Sequence, residues 1–283
     1  QGAAVIRAAL EEGVNFIDTA QMYGTYPQIR EALRGFSPEV VIASKSYAYT
    51  REGMQQAVEE ARRELDRDVI DIFLLHEQES EMTIRGHREA LELLIDFRQR
   101  GLVRAVGLST HTVAGVLAAL NTPGIDVVHP LLNLRGIGII GASREEMERA
   151  VLLAKRAGLG VYGMKPLGGG NLLGIAREAL QYAFSFPGFD AVAVGMKSVA
   201  EVRANAALAE GRFEPEWWQA AAGGERRLHI ESWCQGCGRC VEACPQSALF
   251  QEGAGRPVRL VPERCVLCGY CGAACELFCI KII

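Results

Sequence analysis

An α/β fold, a parallel (β/α)8 TIM-type barrel lacking its first strand and followed by a small α+β module, is what the 283-residue sequence predicts. Three observations carry that expectation. Short β-branched runs alternate with longer amphipathic patterns over roughly the first 210 residues, as in βα units around a parallel sheet. Polar residues stand in succession at the ends of those runs, where such a barrel builds its active site. All nine cysteines fall between Cys234 and Cys279, so composition itself marks off a second domain.

Seven strands are read in order: Asn15 to Thr19, Val40 to Lys45, Ile70 to His76, Val103 to Ser109, Asp126 to Pro130, Gly160 to Lys165 and Ala191 to Gly195. Ile70 to Leu75 is almost wholly apolar, as a strand buried on both faces should be. Between strands, Arg51 to Leu65 and Thr83 to Arg100 read as helices, the second with Leu91, Leu94 and Ile95 at helical spacing. A further helix (Val5, Ile6, Ala9, Leu10) precedes the first visible strand. Seven units led by a helix read as an eight-stranded barrel without its opening strand; a doubly wound open sheet is the competing architecture. A barrel so interrupted would leave strand edges open to unwanted pairing, and the chain starts at Gln1 within a helix, so the natural chain is expected to extend upstream. The expected domains are the barrel at 1–212, a helical linker at 213–229 in which Trp217 and Trp218 pack towards the barrel, and the module at 230–283.

The composition is 49% hydrophobic and 23% charged with a net charge of -4, which argues against nucleic-acid or anionic-membrane partners. No signal peptide or membrane-length apolar run is visible, so a cytoplasmic location is expected.

The module carries two cysteine runs, Cys234-x2-Cys237-x2-Cys240-x3-Cys244-Pro245 and Cys265-x2-Cys268-x2-Cys271-x3-Cys275. This spacing lets three thiolates of one run hold three corners of a cubane while the fourth crosses to the other cluster. It therefore predicts two [4Fe–4S] clusters, one on Cys234, Cys237, Cys240 and Cys275, the other on Cys265, Cys268, Cys271 and Cys244. Zinc is the rival, but a structural zinc site takes four ligands and does not require the third and fourth cysteines of each run. A disulfide framework fits less well, because the 233 residues before Cys234 contain no cysteine. Cys279 lies outside both runs and reads as a buried, spare thiol.

In the barrel, Asp18, Tyr23, Lys45 and His76 follow the first three visible strands. Each alone has an ordinary reading: a helix cap, a surface aromatic, a solvated charge, a core histidine. Together they suggest acid–base chemistry. A tyrosine hydroxyl titrates near ~10, and a neighbouring ammonium would lower that value; Lys45 could supply it, Asp18 hold it, and His76 orient a carbonyl oxygen.

The segments Gly13 to Gly24, Ile42 to Ser46, Asp71 to His76, Val103 to Ser109 and Gly195 to Ser198 resemble, in this order, the aldo-keto reductases. The resemblance implies a (β/α)8 barrel that reduces a small-molecule carbonyl substrate with NADP(H), using Asp18, Tyr23, Lys45 and His76 as its catalytic tetrad. It also implies cofactor contacts from Ser109, His129, Asn133, Met164, Lys197, Ser198, Arg203 and Asn205. The lining departs from the usual pattern: Thr110 replaces an Asn, His129 a Gln, Met164 a stacking Tyr, and Ala204 an acidic residue. Gly168-Gly-Gly170 is equally readable as a phosphate-approaching loop or a plain turn. The C-terminal addition resembles a bacterial-type ferredoxin, as in an iron–sulfur branch of the same family.

Joining the two halves poses a chemical problem, because nicotinamides deliver two electrons as hydride and clusters move one at a time. A direct wire needs a mediator, typically a flavin, and no flavin motif is visible. Three readings follow: a reductase whose clusters serve an external redox partner or an unrecognised cofactor, an electron-transfer protein whose barrel is a docking or regulatory module, or clusters with a structural role only.

Overall fold

The computed structural model describes residues 2–283. Seven strands, β1 (Phe16–Asp18), β2 (Val41–Ser46), β3 (Ile70–Leu75), β4 (Val103–Thr110), β5 (Val127–Pro130), β6 (Gly160–Gly163) and β7 (Ala191–Val192), pair in sequence order, every neighbour parallel. A connecting segment containing helix separates each strand from the next, so the sheet curls into a near-barrel within a helical shell. Among the described residues β7 and β1 do not pair with each other. The helical layer is continuous there: Gly2–Glu11 packs on Val199–Ala209, with Arg203 Nε 3.2 Å from Glu12 Oε1.

The main core lies between strands and shell, with Ile42, Phe73, Leu75, Val106 and Leu108 from the sheet against Met54, Val58, Leu94, Val116, Val151 and Ala179 from the helices. A smaller cluster of Ala43, Leu74, Val127 and Tyr162 forms separately from it. Hydrophobic burial on this scale is the main force holding the barrel together.

Helix caps account for most boundaries. Thr50 accepts from Gly53 N to start Arg51–Leu65, and Ser143 with Glu146 forms a capping box at the start of Arg144–Arg156. The single helix expected over 83–100 is broken. Ser80 caps a first piece, Glu81–Gly86, and a second, Arg88–Gln99, begins after His87, whose φ of -103° and ψ of 19° interrupt the helical run. The His87 Nδ1–H donates to Thr83 O at 2.9 Å, so this histidine is structural.

After Val199–Ala209 the helix Pro215–Ala222 packs on it and a short turn leads into the module. There β8 (Leu228–Ile230), which starts inside the stretch expected to be linker, pairs antiparallel with the last strand; His229 lies on this strand, exposed beside Glu231. The others are β9 (Leu249–Phe250), β10 (Arg259–Leu260) and β11 (Ile280–Ile282), with β9 antiparallel to β10. The module is an internal repeat. Left-handed residues recur at Gly236, Gly238 and Ser247 and again at Leu267, Gly269 and Phe278, and one-turn helices recur at Arg239–Glu242 and Tyr270–Ala273. No helix among the described residues is long and apolar enough to cross a membrane.

Candidate functional site

Parallel register sets the rim of the barrel. Asp18 pairs with Ala43 and Lys45 with Leu74, so Asp18, Lys45 and His76 rise from successive strands at one end. Lys45 is 2% exposed, and its Nζ donates to Asp18 Oδ1 and Oδ2 at 2.8 and 2.7 Å and to Thr19 O at 2.8 Å, satisfying all three donors. Tyr162, from β6, donates its hydroxyl to Asp18 Oδ1 at 3.0 Å. His129, from β5, stacks on Tyr162 with centroids 3.8 Å apart and donates Nδ1–H to Tyr162 O at 2.7 Å. A largely buried carboxylate is thereby fixed from two sides.

Tyr23 closes a short 3-10 turn, Gln21–Tyr23, that ends on left-handed Gly24 (φ 63°). Lys45 Nζ lies 5.2 Å from the Tyr23 ring centroid, and the His76 ring meets Tyr23 edge-on at 5.9 Å. Tyr47 stacks on the His76 ring at 4.1 Å and donates its hydroxyl to Glu77 Oε2 at 2.6 Å. The buried His76 Nδ1 has no hydrogen-bond partner. The four tetrad residues expected from sequence thus come together around one point on the rim.

Burial works to raise the Asp18 carboxyl, yet the Lys45 ammonium and the hydrogen bonds from Lys45 and Tyr162 hold it below its ordinary value, with His129 adding its charge only in acid, where that ring is protonated. Burial lowers Lys45, opposed by Asp18. Burial also pushes His129 down to about 3 and His76 and His111 down to about 4, so all three rings are neutral at pH 7. Tyr23 departs from expectation. The sequence reading has Lys45 lowering this phenol, whereas the structure raises it, first by burial and then through the Asp18 and Glu77 carboxylates. The Lys45 ammonium is matched by Asp18, so little net positive charge is left to stabilise a phenolate.

Several rim residues carry no sequence motif of their own. Gln21 bridges Ser46 Oγ and Glu60 Oε2, each at 2.7 Å. Glu77 and Lys165 follow β3 and β6 with φ of 51° and 57°, left-handed backbone that non-glycine residues adopt at a cost and that often marks functional positions. Only the alternation along β6 hints at Tyr162, two residues before the Met164 expected to line the site.

The expected nicotinamide contacts divide into two groups. At one end, Ser198 caps Val199–Ala209 by accepting from Glu201 N at 3.2 Å, and exposed Lys197 precedes it, so a helix N-terminus and an ammonium stand together. Arg203 is paired with Glu12, and Asn205 is half-buried further along the helix. At the other end the side chains are committed to the fold. Asn133 donates one amide N–H to Ile137 O at 2.8 Å and accepts from the amides of Arg135 and Ile137, which makes it a loop-closing residue and leaves it a single N–H to offer a ligand. Ser109 Oγ accepts from Glu77 N, His129 is locked on Tyr162, and Met164 is buried in a bridge to Leu131. The residues present fit a dinucleotide at its phosphate end and only weakly at its carboxamide.

Gly168–Gly170 is neither a plain turn nor an open phosphate loop. A Cβ on Gly170 would lie 2.0 Å from Ile282 O, and one on Gly169 2.8 Å from both Phe278 Cζ and Lys281 Cδ. Glycine is required here because β11 and Phe278 of the module lie directly on the loop.

In the module, Cys234, Cys237, Cys240 and Cys275 line one cavity, joined by Cys279. Cys244, Cys265, Cys268 and Cys271 line the other. Among the described residues no three such side chains converge as a single metal ion demands. Burial, with neighbouring cysteines adding, pushes the Cys240 thiol up to about 11; burial first and neighbouring cysteines after it push Cys271 up to about 12. Thiolates crowded in this way need positive charge among them, which the irons of a cluster supply, so the donor sets fit. Cys244 Sγ accepts from Ala248 N at 3.3 Å, and Cys275 Sγ accepts from Cys279 N at 3.2 Å, contacts that orient both crossing cysteines.

Comparison with known proteins agrees with both halves. The model of the aldo/keto reductase family matches residues 1–178, and that of a 4Fe-4S dicluster domain matches 233–277. An aldo-keto reductase of Mycolicibacterium paratuberculosis is 33% identical over 139 residues, covering 45% of this chain and 48% of the relative. A 6-dehydroglucose reductase of Novosphingobium aromaticivorans is 24% identical over 270 residues, covering 79% and 86%. Against the first of these the chain spans about half the relative's length. Among solved structures, an aldo-keto reductase from Klebsiella pneumoniae in complex with NADPH superimposes with a TM-score of 0.61 at 22% identity, covering 79% of this chain and 85% of that one. The holo form of an aldo-keto reductase from Bacillus halodurans gives a TM-score of 0.60 at 21% identity, covering 78% and 85%. With seven parallel strands curled into a near-barrel and a cysteine-rich module behind them, the chain belongs to the aldo/keto reductase family and carries a 4Fe-4S dicluster domain at its C-terminal end.

Proposed function

We propose that the barrel reduces a small carbonyl substrate with NADP(H), and that the module holds two [4Fe–4S] clusters serving an external redox partner. One arrangement carries the first half: Lys45, held by Asp18 at 2.8 and 2.7 Å, lies beside the Tyr23 ring with His76 edge-on at 5.9 Å.

The bound dinucleotide would supply hydride to the carbonyl carbon. Lys197, Ser198 and the helix start behind them would hold its phosphates, with Ser109, His129 and Met164 flanking the other end. Tyr23 has a raised pKa and so stays protonated at neutral pH. Its hydroxyl donates to the carbonyl oxygen and hands over the proton as that oxygen becomes an alkoxide, a stronger base than a phenolate. The buried Lys45–Asp18 pair fixes where that charge develops, and the neutral His76 ring orients the oxygen without competing for the proton.

For the clusters, the reading is Cys234, Cys237, Cys240 and Cys275 on one and Cys265, Cys268, Cys271 and Cys244 on the other, supported by the two lined cavities. A second reading, an electron-transfer protein whose barrel no longer turns over carbonyls, is favoured by the commitment of Asn133 to its own loop. Tyr23→Phe separates the two. The reductase reading expects carbonyl turnover to fall about 10²–10⁴-fold with NADPH affinity retained; unimpaired turnover refutes Tyr23 as the acid, and native protein that binds no NADPH refutes the reductase reading.

A further inference from the structure

The halves of the module repeat each other, so the places where the repeat breaks are informative. Ser247 of the first half corresponds to Phe278 of the second, Val241 to Gly272, and Phe250 to Lys281. All three second-half residues lie on the barrel side. Phe278 is 3% exposed and belongs to the main barrel core, with Gly138 and Leu131 beneath it and the His111 ring edge-on at 6.2 Å. Gly272 leaves room for Asn171, whose Oδ1 would lie 2.0 Å from a Cβ there. The Asn171 amide donates to Gly168 O at 2.8 Å and Ile280 O at 3.0 Å, tying the barrel loop to β11.

Phe278 and Gly272 follow the logic of docking, but Lys281 does not. Phe250 is 39% exposed, while its counterpart against the barrel, which a hydrophobe would suit better, is a half-buried lysine. The Lys281 ammonium lies over the Phe278 ring and donates to Phe278 O. Its stem packs on Gly169, in the loop that Lys165 opens and closes back on by accepting from Gly168 N at 2.8 Å. Neither Lys165 nor Lys281 has a carboxylate partner within ion-pair distance among the described residues, and Lys165 is held in left-handed backbone. Edge-on to the same Phe278 ring, His111 has a buried Nε2 that lacks a hydrogen-bond partner, at 3.8 Å from Glu77 Oε1. The nearby carboxylates have partners, Asp18 with Lys45, Glu77 with Tyr47, and Glu231, the carboxylate acting on Lys281, beside His229 at 3.2 Å.

We propose that Lys165 of the barrel and Lys281 of the iron–sulfur module, with the His111 ring beside them, form a subsite for the carboxylate of an oxo-acid substrate, making the module a wall of the barrel's pocket. Burial of Lys281 and its nearness to Lys165 lower its pKa to about 7, a cost that a bound carboxylate would relieve. The subsite rests on the carbonyl-reductase reading, and it gives that reading a substrate class.

The test compares 4-oxobutanoate with butanal, which carries a methyl group in place of the carboxylate, on the cluster-loaded protein with saturating NADPH. The native protein is expected to favour 4-oxobutanoate in KM. Lys281→Gln should reduce that preference about tenfold or more, the worth of a charge-assisted contact, and Lys281→Arg should restore it. Equal KM values in the native protein overturn the subsite, as does a Lys281→Gln variant that weakens both substrates equally. Weaker NADPH binding in Lys281→Gln with the preference intact would assign the lysines to the dinucleotide phosphates instead and also overturn it. Calorimetric binding of 4-oxobutanoate to Tyr23→Phe protein, with and without Lys281→Gln, separates the two levels. Lysine-dependent binding without turnover of either aldehyde in the native protein keeps the subsite and removes the reductase reading; turnover without carboxylate preference does the reverse.

Discussion

The barrel buries a continuous apolar layer from Leu10 and Ile29 through Phe73 and Leu94 to Val161, whereas in the module only Leu228, Leu249, Val258 and Ile280 join Cys240 and Cys271 in a core. Two short antiparallel pairs of strands complete the module. A core that small contributes little stability, and domains of this size usually depend on bound metal or on disulfides. The contrast teaches that the same chain contains one region with a hydrophobic core of its own and another that, on the proposed reading, draws its stability from bound clusters. They meet where Phe278 enters the barrel core and β11 lies on the glycine loop.

Removing one cluster ligand should break the contrast most severely. Cys240→Ser is expected to lose iron from its own cluster and to loosen the whole module, because in the proposed ligand assignment Cys275 and Cys244 each cross to the other half's set. Iron and sulfide content, with amide hydrogen exchange across 228–283, measures this; the barrel strands should stay protected.

A smaller effect is expected in the barrel from Lys45→Met, which strands the Asp18 carboxylate, 16% exposed, without its ammonium. Stability should fall by about 3–5 kcal/mol, and adding Asp18→Asn should recover much of it without restoring activity. Urea unfolding followed by barrel-strand hydrogen exchange checks both steps. Equal stability of Lys45→Met, the double variant and the native protein would mean that the pair contributes nothing to the fold.

The mildest test is pH. His76 and His111 fall to about 4 and His129 to about 3 in the fold, against about 6.5 unfolded. Between those values the unfolded chain binds more protons, so stability declines as pH drops from about 6.5 towards 4. At pH 5 each ring costs at most about 2 kcal/mol relative to pH 7. Unfolding midpoints at the two pH values measure the sum, and an unchanged midpoint would show the rings to be protonated in the fold.

Much of this was legible in the sequence for physical reasons. Buried parallel strands such as Ile70–Leu75 are apolar throughout, and thiolate spacing around a cubane is local, so both patterns survive translation into one dimension. The tetrad residues could be placed because each stands at or just after the end of a readable strand. Tyr162 could not, since its role depends on which strand end faces Asp18 across the barrel, a contact 144 positions apart in the chain. Gly168–Gly170 was ambiguous because left-handed glycines serve turns, phosphate loops and close approaches alike, and only Ile282 and Phe278 pressing on them decide the matter. The Tyr23 pKa was misjudged because pairing Lys45 with Asp18 cancels the charge that the sequence shows in isolation.

The most direct test of the division between a self-sufficient barrel and a ligand-dependent module is carbonyl turnover by Cys240→Ser protein depleted of its clusters, with the barrel shown to be folded by circular dichroism. The account predicts that butanal reduction persists and remains abolished by Tyr23→Phe, while the preference for 4-oxobutanoate disappears with the module's wall. Loss of butanal reduction in a folded barrel would contradict it, because the clusters would then take part in the carbonyl chemistry itself.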